Sequence, residues 1–99
     1  MKDIVYWREK IDNVDLKILD LLNSRAGFAL EIGKIKRKLK IAIYSPEREK
    51  DVLRNVAGAN PGPLNNSAVC RLYERIIDES RRLEREESLK DSNMDEIND

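Results

Sequence analysis

Residues 4–39 read IVYWREKIDNVDLKILDLLNSRAGFALEIGKIKRKL. Apolar residues recur in this segment at alternating steps of three and four, which is the heptad pattern of a helix that packs along one face. We call this row of positions the seam, and it comprises Ile4, Trp7, Ile11, Val14, Ile18, Leu21, Arg25, Phe28, Ile32, Ile35 and Leu39. The unbroken pattern predicts a single helix over residues 4–40, with Arg25 as the one polar member of the seam.

The predicted helix is longer than a domain that this chain would form alone. A helix of about 36 residues is about 54 Å long, whereas a compact domain of about 100 residues has a radius of gyration of about 13 Å. The rest of the 99-residue chain is too short to cover the whole seam. We therefore predict an intertwined helical homodimer. Gly27 and Gly33 each weaken the helix by about 1 kcal/mol, and we interpret them as points of close approach between helices.

Two shorter helices are predicted after residue 40. Ser45 is a good N-cap and Pro46 suits the first helical position, so the second helix should cover residues 46–57. A turn at residues 60–63 separates it from a third helix over residues 66–87, and the polar tail 88–99 is predicted to be disordered. The predicted fold is thus all-α, with three helices in a single domain over residues 1–99.

The composition excludes several classes of function. The 19 basic and 19 acidic residues cancel, so bulk charge does not favour a nucleic acid or an acidic membrane as partner. No apolar run approaches the roughly 20 residues that span a bilayer, and we expect a cytoplasmic protein. The chain has no histidine and one cysteine, Cys70, which rules out a histidine-based triad and argues against the usual zinc sites. We expect neither a metal nor a cofactor.

Two cations flank an apolar strip on the long helix. Arg25 and Lys36 are 11 residues apart, so they lie within about 20° of each other around the helix. Ala29 and Ile32 lie between them. Lys36 by itself is most simply explained as a long side chain whose head reaches water. Arg25 is different, because a guanidinium buried in the middle of the seam needs anionic partners.

Further polar residues occupy faces where the helices should pack: Arg8, Arg48, Glu49, Ser80 and Glu84. Each has an ordinary explanation by itself. Glu49 suits a helix N-terminus, the Ser80 hydroxyl can bond to the preceding turn, and Arg8 and Glu84 can be surface charges. Taken together with Arg25 and Lys36, they predict a pocket with an excess of positive charge. Such a pocket suits a small dianion, whose carboxylates arginine binds through paired hydrogen bonds.

Four segments in order carry a resemblance to a known family. WREKID, SRAGFALEIGKIK, PEREKDVL and RIIDESRRLE resemble the all-helical chorismate mutases of the AroQ type, and the resemblance covers about residues 4–87. It implies an isomerase that rearranges chorismate to prephenate on the way to phenylalanine and tyrosine. This pericyclic reaction uses no cofactor, no nucleophile and no proton transfer, in agreement with the absences above. It needs conformational restraint of the substrate and stabilisation of developing charge.

The resemblance also implies a role for each polar residue. Arg8 and Arg25 would bind the substrate carboxylates with help from Ser80 and Arg48, Lys36 would donate to the ether oxygen, Glu49 would accept from the ring hydroxyl, and Glu84 would be a second donor to the ether oxygen. Glu84 would have to be protonated for that role, and many family members have glutamine there. Some members have aspartate where this chain has Ser45. Arg8 and Arg25 are about 25 Å apart along one helix, so Arg8 would come from the second subunit.

Two other interpretations fit the same residues. Isochorismate pyruvate lyase is similar in fold and in its cationic site, and its reaction is also pericyclic. A helical dimerisation module without catalytic activity is the other alternative. In that case Arg25 would only fix the register of the helices, as buried polar residues can in coiled coils.

Overall fold

The computed structural model describes the backbone of residues 1–98 and the side chains of residues 1–90. Three helices make up this part of the chain: α1 at Ile4–Leu39, α2 at Pro46–Ala59 and α3 at Asn66–Asn98. No strand occurs within residues 1–98, so the predicted all-α fold with three helices is confirmed. None of the helices, as far as they are described, is long and apolar enough to cross a membrane.

The ends of α1 and α2 follow from local sequence. The Asp3 side chain accepts a hydrogen bond of 3.0 Å from the Tyr6 amide and so caps α1. Lys40 adopts a left-handed conformation with a φ of 56° and ends this helix. Ser45 is the N-cap of α2, as predicted, and Pro46 is its first helical residue. The Ser45 side chain makes no capping hydrogen bond.

The third helix differs from the sequence prediction at its C-terminal end. It was expected to end near residue 87 and to be followed by a disordered tail, but α3 continues to Asn98. No proline or glycine occurs after Pro63, so the sequence contains no residue that would stop the helix. Asp99 and the side chains of residues 91–98 lie outside the described part of the chain.

Helix α3 packs against both α1 and α2. Gly33 of α1 is buried and faces α3. A Cβ atom at Gly33 would lie 3.4 Å from Glu84 Cγ, which is an ordinary van der Waals contact, so the packing here does not require glycine. The predicted approach of another helix is therefore found at Gly33, although alanine would also fit. A Cβ atom at Gly27 would have nothing within 4 Å among the described residues, so no such approach occurs there within one chain.

The N-terminal half of α1 has no cover from the described part of its own chain. Every residue from 7 to 24 is exposed, including Trp7 at 55%, Ile11 at 58% and Ile18 at 47%. Among the side chains of residues 1–90, the buried apolar ones are Val69 and Ile77. An apolar surface of this length normally marks an interface, and this supports a second copy of the chain. The intertwined homodimer itself remains a prediction.

A charge placed on the seam tests the homodimer. We expect Ile18→Glu to weaken dimerisation by about 3 kcal/mol or more, because each of two symmetry-related sites would lose a buried apolar side chain. Asn23→Glu is the matched control, since Asn23 is exposed on the side of α1 opposite the seam. Sedimentation equilibrium would measure the monomer–dimer distribution. A dimer unaffected by Ile18→Glu would exclude an interface along the seam.

Candidate active site

The three helices and the connection between α1 and α2 enclose one cavity of about 530 Å³. This volume lies within the usual range for small-molecule sites, about 300–1,000 Å³. Its apolar lining comes from Phe28, Ala29, Ile32, Ile43, Val52 and Ile77. Its polar lining comes from Arg25, Lys36, Ser45, Arg48, Glu49, Ser80, Arg81 and Glu84. The structure thus brings together six of the seven predicted site residues, all except Arg8.

Arg25 reaches across from α1 to α3. Its Nη1 donates a hydrogen bond of 2.7 Å to Ser80 Oγ, and the guanidinium is half-buried. No carboxylate in the described side chains lies within ion-pair distance of it. The expected anionic partner of Arg25 is therefore not supplied by this part of the chain. The hydroxyl instead fixes the orientation of the guanidinium and leaves its positive charge available for a bound anion.

Lys36 lies one turn before the end of α1, and its head does not extend into solvent. Its Nζ donates a hydrogen bond of 2.9 Å to the backbone carbonyl of Ile43, in the connection to α2. The side chain is half-buried and lines the cavity. The simpler explanation of Lys36 as a head that reaches water is therefore wrong. An ammonium group has three hydrogens, so two remain for a ligand.

Glu84 is the most buried charged residue among the described side chains, with 8% of its surface exposed. Its Oε2 has no hydrogen-bond partner within residues 1–90. Burial raises the pKa of the Glu84 carboxyl above its ordinary value, and the nearby positive charges of Lys36, Arg37 and Arg25 oppose that rise. Its interpretation as a solvated surface charge is wrong. The raised pKa extends to higher pH the range over which the carboxyl is protonated and can donate a hydrogen bond.

The first turn of α2 forms another wall of the cavity. Arg48 is exposed at the rim, whereas Ser45 and Glu49 are half-buried. Because the Ser45 hydroxyl does not cap the helix, it remains available to a ligand. The Glu49 carboxylate Oε2 lies 3.5 Å from Nη1 of Arg81, which brings α2 and α3 together at this point.

Sequence reasoning missed Arg81. It lines the cavity on α3 beside Ser80 and Glu84, which were both predicted. The signal was present, because residues 77, 80, 81 and 84 follow the three-and-four spacing that places side chains on one helix face. With Arg25, Lys36 and Arg48, it makes four cationic side chains around the cavity. Arg81 pairs with Asp78 and Glu49, so the cations left for a ligand are Arg25, Lys36 and Arg48.

Arg8 lies apart from the other predicted site residues. It is exposed on the N-terminal half of α1 and does not line the cavity of its own chain. The continuous helix separates it from Arg25 by 17 residues, or about 25 Å. A contribution from Arg8 to this cavity therefore requires a second subunit. As for metals, the described residues contain no group of three or more potential ligands.

Comparison with known proteins identifies the family. A family model described as chorismate mutase type II matches residues 7–85. The chain belongs to this family. The resemblance seen in the sequence is therefore confirmed, and the matched residues contain every predicted site residue.

Relatives of two lengths match this chain. It is 44% identical over 82 residues to a bifunctional chorismate mutase/prephenate dehydratase of Neisseria gonorrhoeae, covering 83% of this chain and 22% of that protein. The chain thus spans about a fifth of the length of this bifunctional relative. A chorismate mutase of Methanocaldococcus jannaschii is 30% identical over 82 residues, with 80% of this chain and 81% of that protein covered.

Solved chorismate mutase structures share the fold. One from Thermus thermophilus superposes with a TM-score of 0.83 at 32% identity, covering 85% of this chain and 96% of that one. A chorismate mutase from Helicobacter pylori in complex with prephenate gives a TM-score of 0.76 at 32% identity, covering 85% of this chain and 90% of that one.

Proposed function

We propose that this chain catalyses the rearrangement of chorismate to prephenate, a step in the biosynthesis of phenylalanine and tyrosine. The observation that carries the proposal is the cavity, in which the cationic side chains of Arg25, Lys36 and Arg48 and the buried carboxyl group of Glu84 surround an apolar floor. Membership of the type II chorismate mutase family supports the same reaction. The cytoplasmic location expected from the sequence remains a prediction, as does the absence of nucleic-acid and membrane partners.

The positive charges of the cavity fit the two carboxylates of chorismate. Arg25 is oriented by its hydrogen bond to Ser80 and would bind one carboxylate in a paired arrangement. Arg48 at the rim would assist. We propose that Arg8 of the partner subunit binds the substrate as well, which makes the active species a homodimer with two equivalent sites.

The apolar floor would restrain the substrate. In the reaction the ether C–O bond breaks while a C–C bond forms within the same molecule, so the two bonding carbons must be held close together. Ala29 and Ile32 lie on α1 between the cationic groups of Arg25 and Lys36. With both carboxylates held, the ligand would be confined to a compact conformation above this floor. Such restraint removes much of the entropy barrier to an intramolecular reaction.

Electrostatic stabilisation would lower the barrier further. Negative charge grows on the ether oxygen as its bond to carbon breaks, and donors fixed at that point favour the transition state over the substrate. We assign Lys36 and protonated Glu84 as these two donors. Glu49 would accept a hydrogen bond from the ring hydroxyl. No group in this scheme transfers a proton to or from the substrate, so none of them needs to be a strong base.

An assay of chorismate consumption by the purified protein tests the proposed reaction. We expect prephenate as the product, and we expect Lys36→Ala to lower kcat by about 10²–10³-fold, because it removes a donor to the developing charge. Lys38→Ala is the control, since Lys38 is exposed on the same helix. Formation of salicylate and pyruvate from isochorismate, without prephenate formation from chorismate, would identify a lyase instead. A folded protein that is inactive on both would support a dimerisation module.

Mixing two inactive variants tests the shared site. In a heterodimer of Arg8→Ala with Lys36→Ala, one cavity combines an intact Lys36 with an intact Arg8 from the other chain. An equal mixture at full exchange should therefore regain about one quarter of the wild-type activity. Subunit exchange is followed separately, with differently labelled chains. Exchange without recovered activity would show that Arg8 does not complete the partner's site.

The protonated state of Glu84 predicts a particular pH profile. Only the neutral carboxyl donates a hydrogen bond, so kcat/KM should fall as the pH rises through the pKa of Glu84, by about tenfold per pH unit above it. Glu84→Gln retains a donor at every pH and should flatten this decline. Kinetics of both proteins over the same pH range provide the measurement. A decline that persists unchanged in Glu84→Gln would assign the titration to another group.

A further inference from the structure

Arg81 is held on three sides at the boundary between α2 and α3. Its Nη2 donates a hydrogen bond of 2.7 Å to Asp78 Oδ1, one turn earlier on the same helix. Its guanidinium carbon lies 4.8 Å from the ring centroid of Tyr44, in the connection before α2. Its Nη1 lies 3.5 Å from Glu49 Oε2 on α2. The planar guanidinium group is therefore held by a carboxylate of its own helix, by the Tyr44 ring and by the Glu49 carboxylate of α2.

The pair of Arg81 with Glu49 differs from the ion pairs on the outer surface. Arg75 and Glu79 belong to one helix, and their side chains are 71% and 46% exposed. Arg81 and Glu49 join two helices, and their side chains are only 24% and 25% exposed. Solvent screens such a partly buried pair much less than an exposed one. At 3.5 Å the contact is longer than the 2.7 Å bond of Arg81 to Asp78, and its partial burial is what allows it to restrain the Glu49 carboxylate.

The contact with Arg81 engages only one oxygen of Glu49. Oε2 faces Arg81, while Oε1 has no hydrogen-bond donor among the described side chains and backbone of residues 1–90. A carboxylate has about four lone-pair sites, so Glu49 can be held through one oxygen and accept from a ligand through the other. Since position 45 at the same end of α2 is a serine, Glu49 is the carboxylate that this end of α2 supplies to the cavity.

We infer that Arg81 is a positioning residue, which holds the Glu49 carboxylate at the cavity wall where it accepts the hydrogen bond of the substrate's ring hydroxyl. The inference rests on the proposed function and adds a residue to it. Arg81 acts through Glu49, and Asp78 and Tyr44 keep Arg81 in the required orientation. Loss of Arg81 leaves Glu49 in the sequence but allows its side chain to leave the geometry that the hydroxyl needs.

The test compares Arg81→Met with Arg82→Met. Methionine keeps most of the stem and removes every donor, and Arg82 is the matched control because its side chain is 65% exposed on the next position of α3. We expect Arg81→Met to lower kcat/KM for chorismate by about tenfold, as for a misplaced contact group. Arg82→Met should leave it unchanged. Arg81→Lys retains the charge without the planar guanidinium group, and its kcat/KM should lie between those of the two methionine variants.

Two further measurements separate positioning from a general loss of structure. Arg81→Met should have no effect on a chorismate analogue in which hydrogen replaces the ring hydroxyl. It should also cause no further loss in a Glu49→Ala background, because alanine has no acceptor and both changes then remove the same contact. An equal loss on chorismate and on the analogue, or a full additional loss in Glu49→Ala, would overturn the inference.

A crystal structure of Arg81→Met, or of Arg81→Lys if the first variant does not fold, provides a readout that needs no activity. We expect the Glu49 carboxylate to have turned away from its position in the wild type. A Glu49 side chain that stays in place would overturn the inference. If the wild-type protein fails to convert chorismate, the proposed function is wrong. The position of Glu49 in the crystal structure of the variant still shows whether Arg81 holds its carboxylate.

Discussion

The length of α1 determines how the rest of this protein is arranged. One unbroken helix runs from Ile4 to Leu39, and the chain has only α2 and α3 with which to cover it. Helix α3 packs against its C-terminal half near Gly33 and α2 packs against α3, and together they leave residues 7–24 exposed. The C-terminal half of α1 therefore contributes to a cavity. The N-terminal half presents a long apolar surface whose burial would need a partner.

The cavity holds charged groups in partly desolvated positions, which costs free energy of folding. Desolvation opposes the ionised form of Glu84, and Arg25 meets a hydroxyl rather than a carboxylate among the described residues. A fold selected for stability alone would pair or remove such groups. Their positions on three helices fix them before a ligand arrives, so little rearrangement is needed when charge develops on the substrate. Cationic groups without a carboxylate partner among the described residues are thus consistent with a dianionic ligand and a reaction governed by electrostatics.

Sequence patterns predicted those features that depend on neighbours along the chain. The seam predicted α1 to within a residue, and Ser45 with Pro46 predicted the start of α2. Polar residues at apolar positions indicated six residues that the cavity brings together.

The end of α3 was missed because no stop signal exists and the prediction relied on polarity alone. Arg81 was missed because its partners Glu49 and Tyr44 lie more than 30 residues away, and spacing on one helix does not reveal contacts between helices. The burial of Glu84 likewise depends on the approach of α3 to Gly33. The individual roles of the site residues came from family resemblance rather than from any pattern.

The hydrogen bond from Lys36 to the Ile43 carbonyl has a consequence for the connection between α1 and α2. That bond fastens the short segment before α2 to the last turn of α1, and Ile43 and Ser45 in this segment line the cavity. The entropy cost of ordering the segment is therefore part of folding. A ligand that contacts Ile43 or Ser45 does not have to order the segment when it binds. One ammonium group thus links the rigidity of a backbone segment to the chemistry of the site, and a neutral replacement at position 36 would loosen the enclosure as well as remove a charge.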